Sequence, residues 1–108
     1  MNGAVWLAIA IAAEVTGTVS LKASNGLHHH LADVMVVAGY GISFFSLSQA
    51  LNAIPLGLAY AIWSGIGTLG AVVAGRLLFG ESLGLTQIAG VVAVIGGVSL
   101  LNAGGTAR

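Results

Sequence analysis

The sequence contains no cysteine among its 108 residues. This absence excludes disulfide bonds, cysteine nucleophiles and thiolate metal ligands, and it leaves the redox compartment unspecified. Charged residues are scarce as well, because Asp, Glu, Lys and Arg together make up 6% of the chain. Three basic and three acidic side chains give a formal net charge of zero. The chain therefore has no basic patch that could hold a nucleic acid.

Apolar residues are abundant instead. They make up 57% of the chain, and the mean hydropathy is +1.03. A soluble globule needs more polar surface than this composition supplies, so we expect a polytopic membrane protein. Stretches of about 20 apolar residues, each long enough to cross a bilayer, predict four transmembrane helices at residues 3–21, 34–54, 56–78 and 85–101.

Polar residues fall at 22–33, 52–55 and 80–84, between the predicted helices. Connections this short force neighbouring helices to run antiparallel and leave no room for a soluble domain. Residues 1–108 are thus predicted to form one all-α transmembrane domain of four helices, with a frayed end at 103–108. The first apolar segment lacks a basic start and contains Glu14, so we interpret it as a permanent helix rather than a signal peptide.

The few basic residues predict an ambiguous orientation in the membrane. Lys22 and Arg76 fall on one side, and Arg108 and the amino terminus fall on the other. This difference is a weak bias, so copies are expected to insert both ways up. Four helices can hardly surround a solute pathway alone, and transport would therefore need at least a dimer with the site at the interface between subunits.

Glu14 is the single charge in the first apolar segment and lies near its middle. A charge at bilayer depth costs about 3 kcal/mol or more, so it persists mainly where it binds an ion, a proton or a substrate. The alternative is a buried Glu14 that only hydrogen-bonds another helix or pairs with Lys22. By helical spacing, its face includes Leu7, Ala10, Ile11, Gly17, Thr18 and Leu21.

Aromatic side chains recur on the second and third predicted helices. Tyr60 and Trp63 lie three residues apart, and Trp63 is about 10 Å inside its helix, too deep for an aromatic belt at the membrane interface. Aromatic faces attract lipophilic cations, although ordinary helix packing explains such a stripe equally well. The stripe on the second helix consists of Tyr40, Ser43, Phe44 and Leu47.

Glycines mark two further positions. Gly65 and Gly67 in the middle of the third helix permit a hinge or a close backbone approach. The fourth helix has no ionisable group, and Gly90 and Gly97 lie seven residues apart on a face of small residues. Such a face predicts a helix contact between subunits, with packing inside one chain as the alternative.

No motif in the sequence indicates an enzyme or a cofactor. The run from His28 to His30 lies on a short loop without a carboxylate pair or a cysteine to complete a metal shell, so we expect no metal site. No Ser/His/Asp set, phosphate loop or zinc helix occurs. We therefore expect neither a catalytic site nor a bound cofactor.

Several strings resemble the small multidrug resistance family. Residues 13–15 read Ala-Glu-Val and are followed by Gly17-Thr18 and Leu21-Lys22, while residues 60–65 read Tyr-Ala-Ile-Trp-Ser-Gly. Together with the spacing of Gly90 and Gly97, the match spans all four helices. The resemblance implies an antiparallel, dual-topology homodimer in the bacterial inner membrane that exports organic cations in exchange for protons.

The resemblance also implies roles for individual residues. Glu14 resembles the shared proton and substrate site, and the Ser43 and Ser64 hydroxyls resemble groups that organise the paired glutamates. Gly65 and Gly67 match a bend in the third helix, and the glycines of the fourth helix match the dimer contact. The residues that match the lining of the multidrug pocket are Leu7, Ala10, Ile11, Gly17, Thr18, Tyr40, Phe44, Tyr60 and Trp63.

Two alternatives stay open at this point. Guanidinium exporters share the same frame but typically carry a tryptophan two positions after the glutamate, where this chain has Thr16. Tyr40 and Asn102 also resemble the multidrug branch, whereas residues 65–72 resemble the guanidinium branch. The other alternative is a membrane subunit that does not transport, in which Glu14 only specifies helix packing.

Overall fold

The computed structural model describes residues 2–105 and contains four α-helices. They are α1 (Gly3–Ala23), α2 (His30–Ala50), α3 (Leu56–Phe79) and α4 (Leu85–Gly105). Each helix is long and apolar enough to cross a membrane, and residues 2–105 contain no strand, which confirms the predicted class and number of helices. Arg108, which entered the predicted charge balance, lies outside the described residues.

Helix α1 has a defined cap at each end. The Asn2 side chain accepts a hydrogen bond from the Val5 amide at 2.9 Å, which satisfies one of the free amides of the first turn. At the other end, the buried Ser24 hydroxyl donates to the Leu21 carbonyl and accepts from the Leu27 amide. Residues 25–27 all have positive φ, so this connection reverses the chain within a few residues.

The predicted bounds of the second helix, 34–54, are wrong at both ends. Helix α2 begins at His30, because Asp33 in its first turn interacts favourably with the positive end of the helix dipole. It ends at Ala50, and residues 51–54 form turns in which the Ala53 amide bonds the Ala50 carbonyl. Pro55 accounts for this early end, since the residue before a proline avoids helical geometry.

The connection between α3 and α4 occupies the predicted residues. Gly80 ends α3 in the left-handed conformation with φ of 66°, and the next amide, from Glu81, donates to the Gly75 carbonyl. This arrangement is a usual glycine C-cap. Helix α4 continues to Gly105, so the predicted fraying from residue 103 is wrong for residues 103–105, and residues 106–108 lie outside the description.

The helices pack as a flat layer rather than as a closed bundle. The chain measures 46 × 35 × 17 Å, and α4 contributes no buried residue. The closest packing joins α1 and α2 at two glycines: a Cβ placed on Gly39 would lie 2.9 Å from both the Ala13 carbonyl oxygen and the Gly17 Cα. Small residues allow this approach, which is how membrane helices gain packing energy without a hydrophobic driving force.

Candidate functional site

Glu14 lies in the middle of α1, about 17 Å from the first helical residue by the rise of an α-helix. Its carboxylate is partly buried, and Oε2 accepts a hydrogen bond of 2.7 Å from the hydroxyl of Thr18, one turn further along. The alternative in which the Glu14 carboxylate pairs with Lys22 is wrong. Lys22 Nζ instead contacts Glu81 Oε2 at 2.6 Å, near the end of the helix layer. Glu14 therefore has no cationic partner among the described residues.

A second helix reaches this carboxylate through hydroxyl groups. The Thr18 Oγ1 lies 2.8 Å from the phenol oxygen of Tyr40 on α2. The Tyr40 ring lies over Gly17, where a Cβ would be 3.5 Å from two of its ring carbons. The tyrosine ring thus packs against α1 at ordinary contact distance, and its hydroxyl reaches Thr18.

A cavity of about 240 Å³ opens beside Glu14 and is bounded mainly by α3. It includes three of the predicted site residues on that helix, Trp63, Ser64 and Gly67. Sequence reasoning missed Thr68 and Ala71, which complete the lining. Helical spacing could have found them, because they follow Ser64 by four and seven residues and so share its face.

Three aromatic rings form one cluster at this cavity. The Trp63 ring lies 5.9 Å from the Phe44 ring and 5.6 Å from the Tyr60 ring, between centroids. Phe44 and Tyr60 are 57% and 58% exposed, so the cluster extends from the cavity to the surface of the chain. The Trp63 Nε1 is buried without a hydrogen-bond partner among residues 2–105. The cluster offers π faces to a cation and one unused N–H donor.

Four predicted pocket residues lie elsewhere. Leu7, Ala10, Gly17 and Ser43 are all buried, and the Ser43 hydroxyl donates to the Ala10 carbonyl at 2.7 Å. Ala10, Gly17 and Ser43 lie in the contact between α1 and α2, where their small size permits two backbones to approach, whereas Leu7 borders a separate cavity of about 350 Å³ together with residues of α3. In the described chain none of the four lines the cavity beside Glu14, and a role in binding stays a prediction.

Six further predicted lining residues also do not line the cavity beside Glu14: Thr18, Tyr40, Phe44 and Tyr60, described above, and Ile11 and Leu47. Ile11 borders an apolar groove of about 730 Å³ between α1 and α3, and Leu47 is half-buried on α2. The groove is larger than the cavity at Glu14, but every residue that lines it is apolar. A groove without a polar or titratable group has no means to bind a proton, so the smaller cavity is the candidate site.

The two predicted hinge glycines meet different neighbours. A Cβ on Gly65 would collide with the Val98 side chain of α4, whereas one on Gly67 would lie 2.9 Å from Glu14 Oε1. Helix α3 runs through both without a break. The predicted dimer glycines, Gly90 and Gly97, have nothing within 4 Å of an added Cβ, so packing inside one chain does not explain them.

The histidines lie at the start of α2, where His29 precedes the helix and His30 is its first residue. Residues 2–105 contain no group of three or more His, Cys, Asp or Glu placed to hold a metal ion.

Ser64 and Thr68, the two hydroxyls of the cavity, donate to backbone carbonyls of their own helix. The cavity thus offers the Glu14 carboxylate and the Trp63 ring, together with two hydroxyl groups whose protons are already used within α3.

Residues 2–95 match the family model described as Small Multidrug Resistance protein. Among similar proteins, the nicotine metabolites export pump subunit NepB of Paenarthrobacter nicotinovorans is 45% identical over 97 residues, which cover 90% of this chain and 58% of that protein. The multidrug resistance protein EbrA of Bacillus licheniformis is 42% identical over 100 residues, 93% of this chain and 95% of the relative. The quaternary ammonium compound-resistance protein QacE of Escherichia coli is 40% identical over 102 residues, 94% and 93% of the two chains.

Proposed function

Because the chain belongs to the small multidrug resistance family, we propose that it exports lipophilic and quaternary ammonium cations across the bacterial inner membrane in exchange for protons. One observation carries the proposal. Among the described residues, Glu14 is the only carboxylate in the middle of a membrane helix, borders a cavity together with Trp63 of the aromatic cluster, and has no cationic partner. A carboxylate in such surroundings binds either a proton or an organic cation.

Competition for Glu14 supplies the coupling in this proposal. A site that binds proton and cation independently would let both leak, whereas a shared carboxylate links the two fluxes, because each ligand lowers the affinity of the other and the coupling free energy is unfavourable. The aromatic rings of Trp63, Tyr60 and Phe44 add cation-π attraction without strict geometry. This combination favours bulky aromatic or quaternary cations over a small planar guanidinium, which usually requires an ordered set of hydrogen bonds.

We infer that the working unit is a homodimer of two oppositely oriented copies, with two Glu14 residues facing one pathway and alternating access between the two sides. The open Gly90 and Gly97 face of α4 and the flat shape of the single chain support an assembly of more than one copy. Some relatives carry names that point to subunits, such as NepB and the pair EbrA and EbrB. Those names make a second, different chain the main competing assembly.

Transport in proteoliposomes tests the function. Currents evoked by tetraphenylphosphonium and by guanidinium are compared at fixed pH for the native chain, for Glu14→Gln and for Glu81→Gln. The second variant is a matched control, because it also removes one glutamate charge but lies near the end of the helix layer beside Lys22. We expect phosphonium currents that disappear in Glu14→Gln and persist in Glu81→Gln.

Other results would redirect the assignment. Currents with guanidinium alone would place the chain in the guanidinium branch. Proton-driven export that survives in Glu14→Gln would contradict the shared site. A folded native protein that transports neither cation by itself, but transports them together with a second, different chain, would indicate the paired assembly. A protein that transports neither cation with or without a second chain would be a subunit that does not transport.

A further inference from the structure

Glu14, Thr18 and Tyr40 form a continuous chain of hydrogen bonds between two helices. Thr18 Oγ1 lies 2.7 Å from Glu14 Oε2 and 2.8 Å from the Tyr40 phenol oxygen, so the threonine hydroxyl is hydrogen-bonded to both groups. All three residues are partly buried in the membrane-spanning part of the chain. Hydrogen bonds in such low-dielectric surroundings are strong, and an ionised partner strengthens them further.

The number of protons sets the direction of this chain. An ionised carboxylate only accepts hydrogen bonds, and a threonine hydroxyl has one proton to donate. When Thr18 gives that proton to Glu14 Oε2, the contact of 2.8 Å with Tyr40 can form only if the phenol donates to Thr18. When Glu14 is ionised, the Tyr40 hydroxyl must therefore donate its hydrogen bond to the Thr18 oxygen.

Protonation of Glu14 removes this constraint. A carboxyl group that carries its proton on Oε2 donates to Thr18, and the Thr18 hydroxyl then turns to donate to the Tyr40 oxygen. We propose that Thr18 is a positioning residue that transmits the protonation state of Glu14 to Tyr40, whose phenol donates when Glu14 is ionised and accepts when Glu14 is protonated. In this change the protein gains one proton, which binds to Glu14. The hydroxyl groups of Thr18 and Tyr40 rotate, and each keeps its own proton.

The reversal has a consequence for a bound cation. The freed Tyr40 proton is a positive end of an O–H dipole near the site, and it disfavours a cation there. Proton uptake at Glu14 thus removes the negative charge and reorients Tyr40 in the same step. This inference rests on the proposed function, because it assumes that Glu14 exchanges protons.

No other group near Glu14 performs this role among the described residues. On α3, the Ser64 and Thr68 hydroxyls are committed to the carbonyls of Tyr60 and Ser64, and the Tyr60 phenol makes a ring contact with Trp63. Among residues 2–105, the charged side chains outside the site are Lys22, Asp33, Arg76 and Glu81, and none of them forms a hydrogen bond or an ion pair with Glu14. Helix α4 has no ionisable side chain.

The packing of α1 against α2 holds the chain of hydrogen bonds in place. Gly39 lies against Ala13 and Gly17 on one side of Tyr40, and one turn on, Ser43 donates to the Ala10 carbonyl. Both contacts use buried residues with little freedom to move. The two helices are therefore expected to move as one unit, so that Thr18 and Tyr40 stay in contact while α3 moves.

The transmission of the Glu14 protonation state through Thr18 to Tyr40 is called the relay below. Carbon NMR on the full chain in lipid bilayers tests it. The sequence has two tyrosines, Tyr40 and Tyr60, and two glutamates, Glu14 and Glu81, so selective labels at tyrosine Cζ and glutamate Cδ give four signals with internal controls. The titration runs from about pH 3 to pH 9, which includes the ordinary range for a carboxyl group and stays below that for phenols. We expect the Tyr40 signal to change with the same midpoint as Glu14, while Tyr60 stays constant.

Variants of threonine separate the relay from a structural effect. In Thr18→Val, Glu14 should still titrate but the Tyr40 response should fall at least threefold, and Thr18→Ser, which restores a hydroxyl, should recover it. Thr16→Val is the matched control, because it removes a threonine hydroxyl from the same helix that bonds the Ala12 backbone carbonyl instead of Glu14 and Tyr40. It should leave both titrations unchanged.

The possible outcomes distinguish failure of the relay from failure of the proposed function. A Glu14 signal that titrates while Tyr40 does not respond overturns the relay alone, as does a Tyr40 response that persists in Thr18→Val. A Glu14 signal that does not titrate in this range removes the premise of proton exchange, and the proposed function fails with it.

Discussion

The Glu14 carboxylate on α1 lies so close to Gly67 on α3 that a methyl group at position 67 would be 2.9 Å from Glu14 Oε1. Only hydrogen fits between the carboxylate and the α3 backbone without a shift. This relationship joins the charged helix to the helix that carries Trp63, and it gives the glycine a reason beyond flexibility. The position of the carboxylate depends on the empty space that Gly67 leaves.

Gly67→Ala should lower transport more than it lowers stability. The end of a glutamate side chain moves more easily than a helix backbone, so the methyl group should displace the carboxylate and leave the fold intact. We expect a rate of phosphonium transport about tenfold lower, equivalent to about 1.4 kcal/mol. Gly57→Ala is the control on the same helix, since nothing lies within 4 Å of its added Cβ. Equal rates of phosphonium transport in Gly67→Ala and Gly57→Ala would contradict the proposal that the Glu14 carboxylate needs the space beside Gly67.

Gly39→Ala should destabilise the contact between α1 and α2. Its Cβ would lie 2.9 Å from two backbone atoms, the Ala13 carbonyl oxygen and the Gly17 Cα, which cannot turn aside as a side chain can. Such overpacking costs about 1–3 kcal/mol and exceeds the gain of about 1 kcal/mol from helix propensity. The measurement is reversible unfolding in detergent. Gly41→Ala, with open space at its Cβ, should show the propensity gain alone.

Lys22 and Glu81 should couple the ends of α1 and α3 only weakly. Their contact of 2.6 Å is about half exposed, and the Lys22 ammonium also lies 5.2 Å from the Phe79 ring centroid. Exposed ion pairs contribute about 0.2–1 kcal/mol. Lys22→Glu and Glu81→Lys should each lower the free energy of unfolding, and the double variant should recover most of the loss. A double variant no better than the sum of the singles would show that the pair does not form.

Gly97→Leu should weaken assembly without disturbing the single chain. Among the described residues, nothing beyond the local helix backbone lies within 4 Å of an added Cβ at this position, so the larger side chain starts in open space. We expect a shift from dimer to monomer in light scattering of the detergent-solubilised protein, with helix content unchanged. Val92→Leu, at a position on α4 that is 62% exposed, is the control. A dimer that survives Gly97→Leu would place the interface elsewhere.

Much of this site was accessible from spacing alone. The periodicity around Glu14 correctly linked Thr18 to it, whereas Thr68 and Ala71 were missed although they share the helical face of Ser64. The start of α2 was missed because polar residues at a helix end were interpreted as a loop, although the first turn of a helix accommodates them. The placement of Ala10 and Ser43 was missed for another reason, since a shared helix face does not tell which neighbour it contacts.

The amino-acid sequence by itself determined the number of helices, their membrane-spanning length and the isolation of Glu14 within an apolar segment. These properties depend on composition along the chain, because about 20 apolar residues suffice to cross a bilayer whatever they contact. Only the tertiary structure decided that Tyr40 meets Thr18, that Gly67 meets the Glu14 carboxylate and that Lys22 pairs with Glu81. Those contacts depend on how the helices cross, and crossing is set by close packing of small residues from distant parts of the chain.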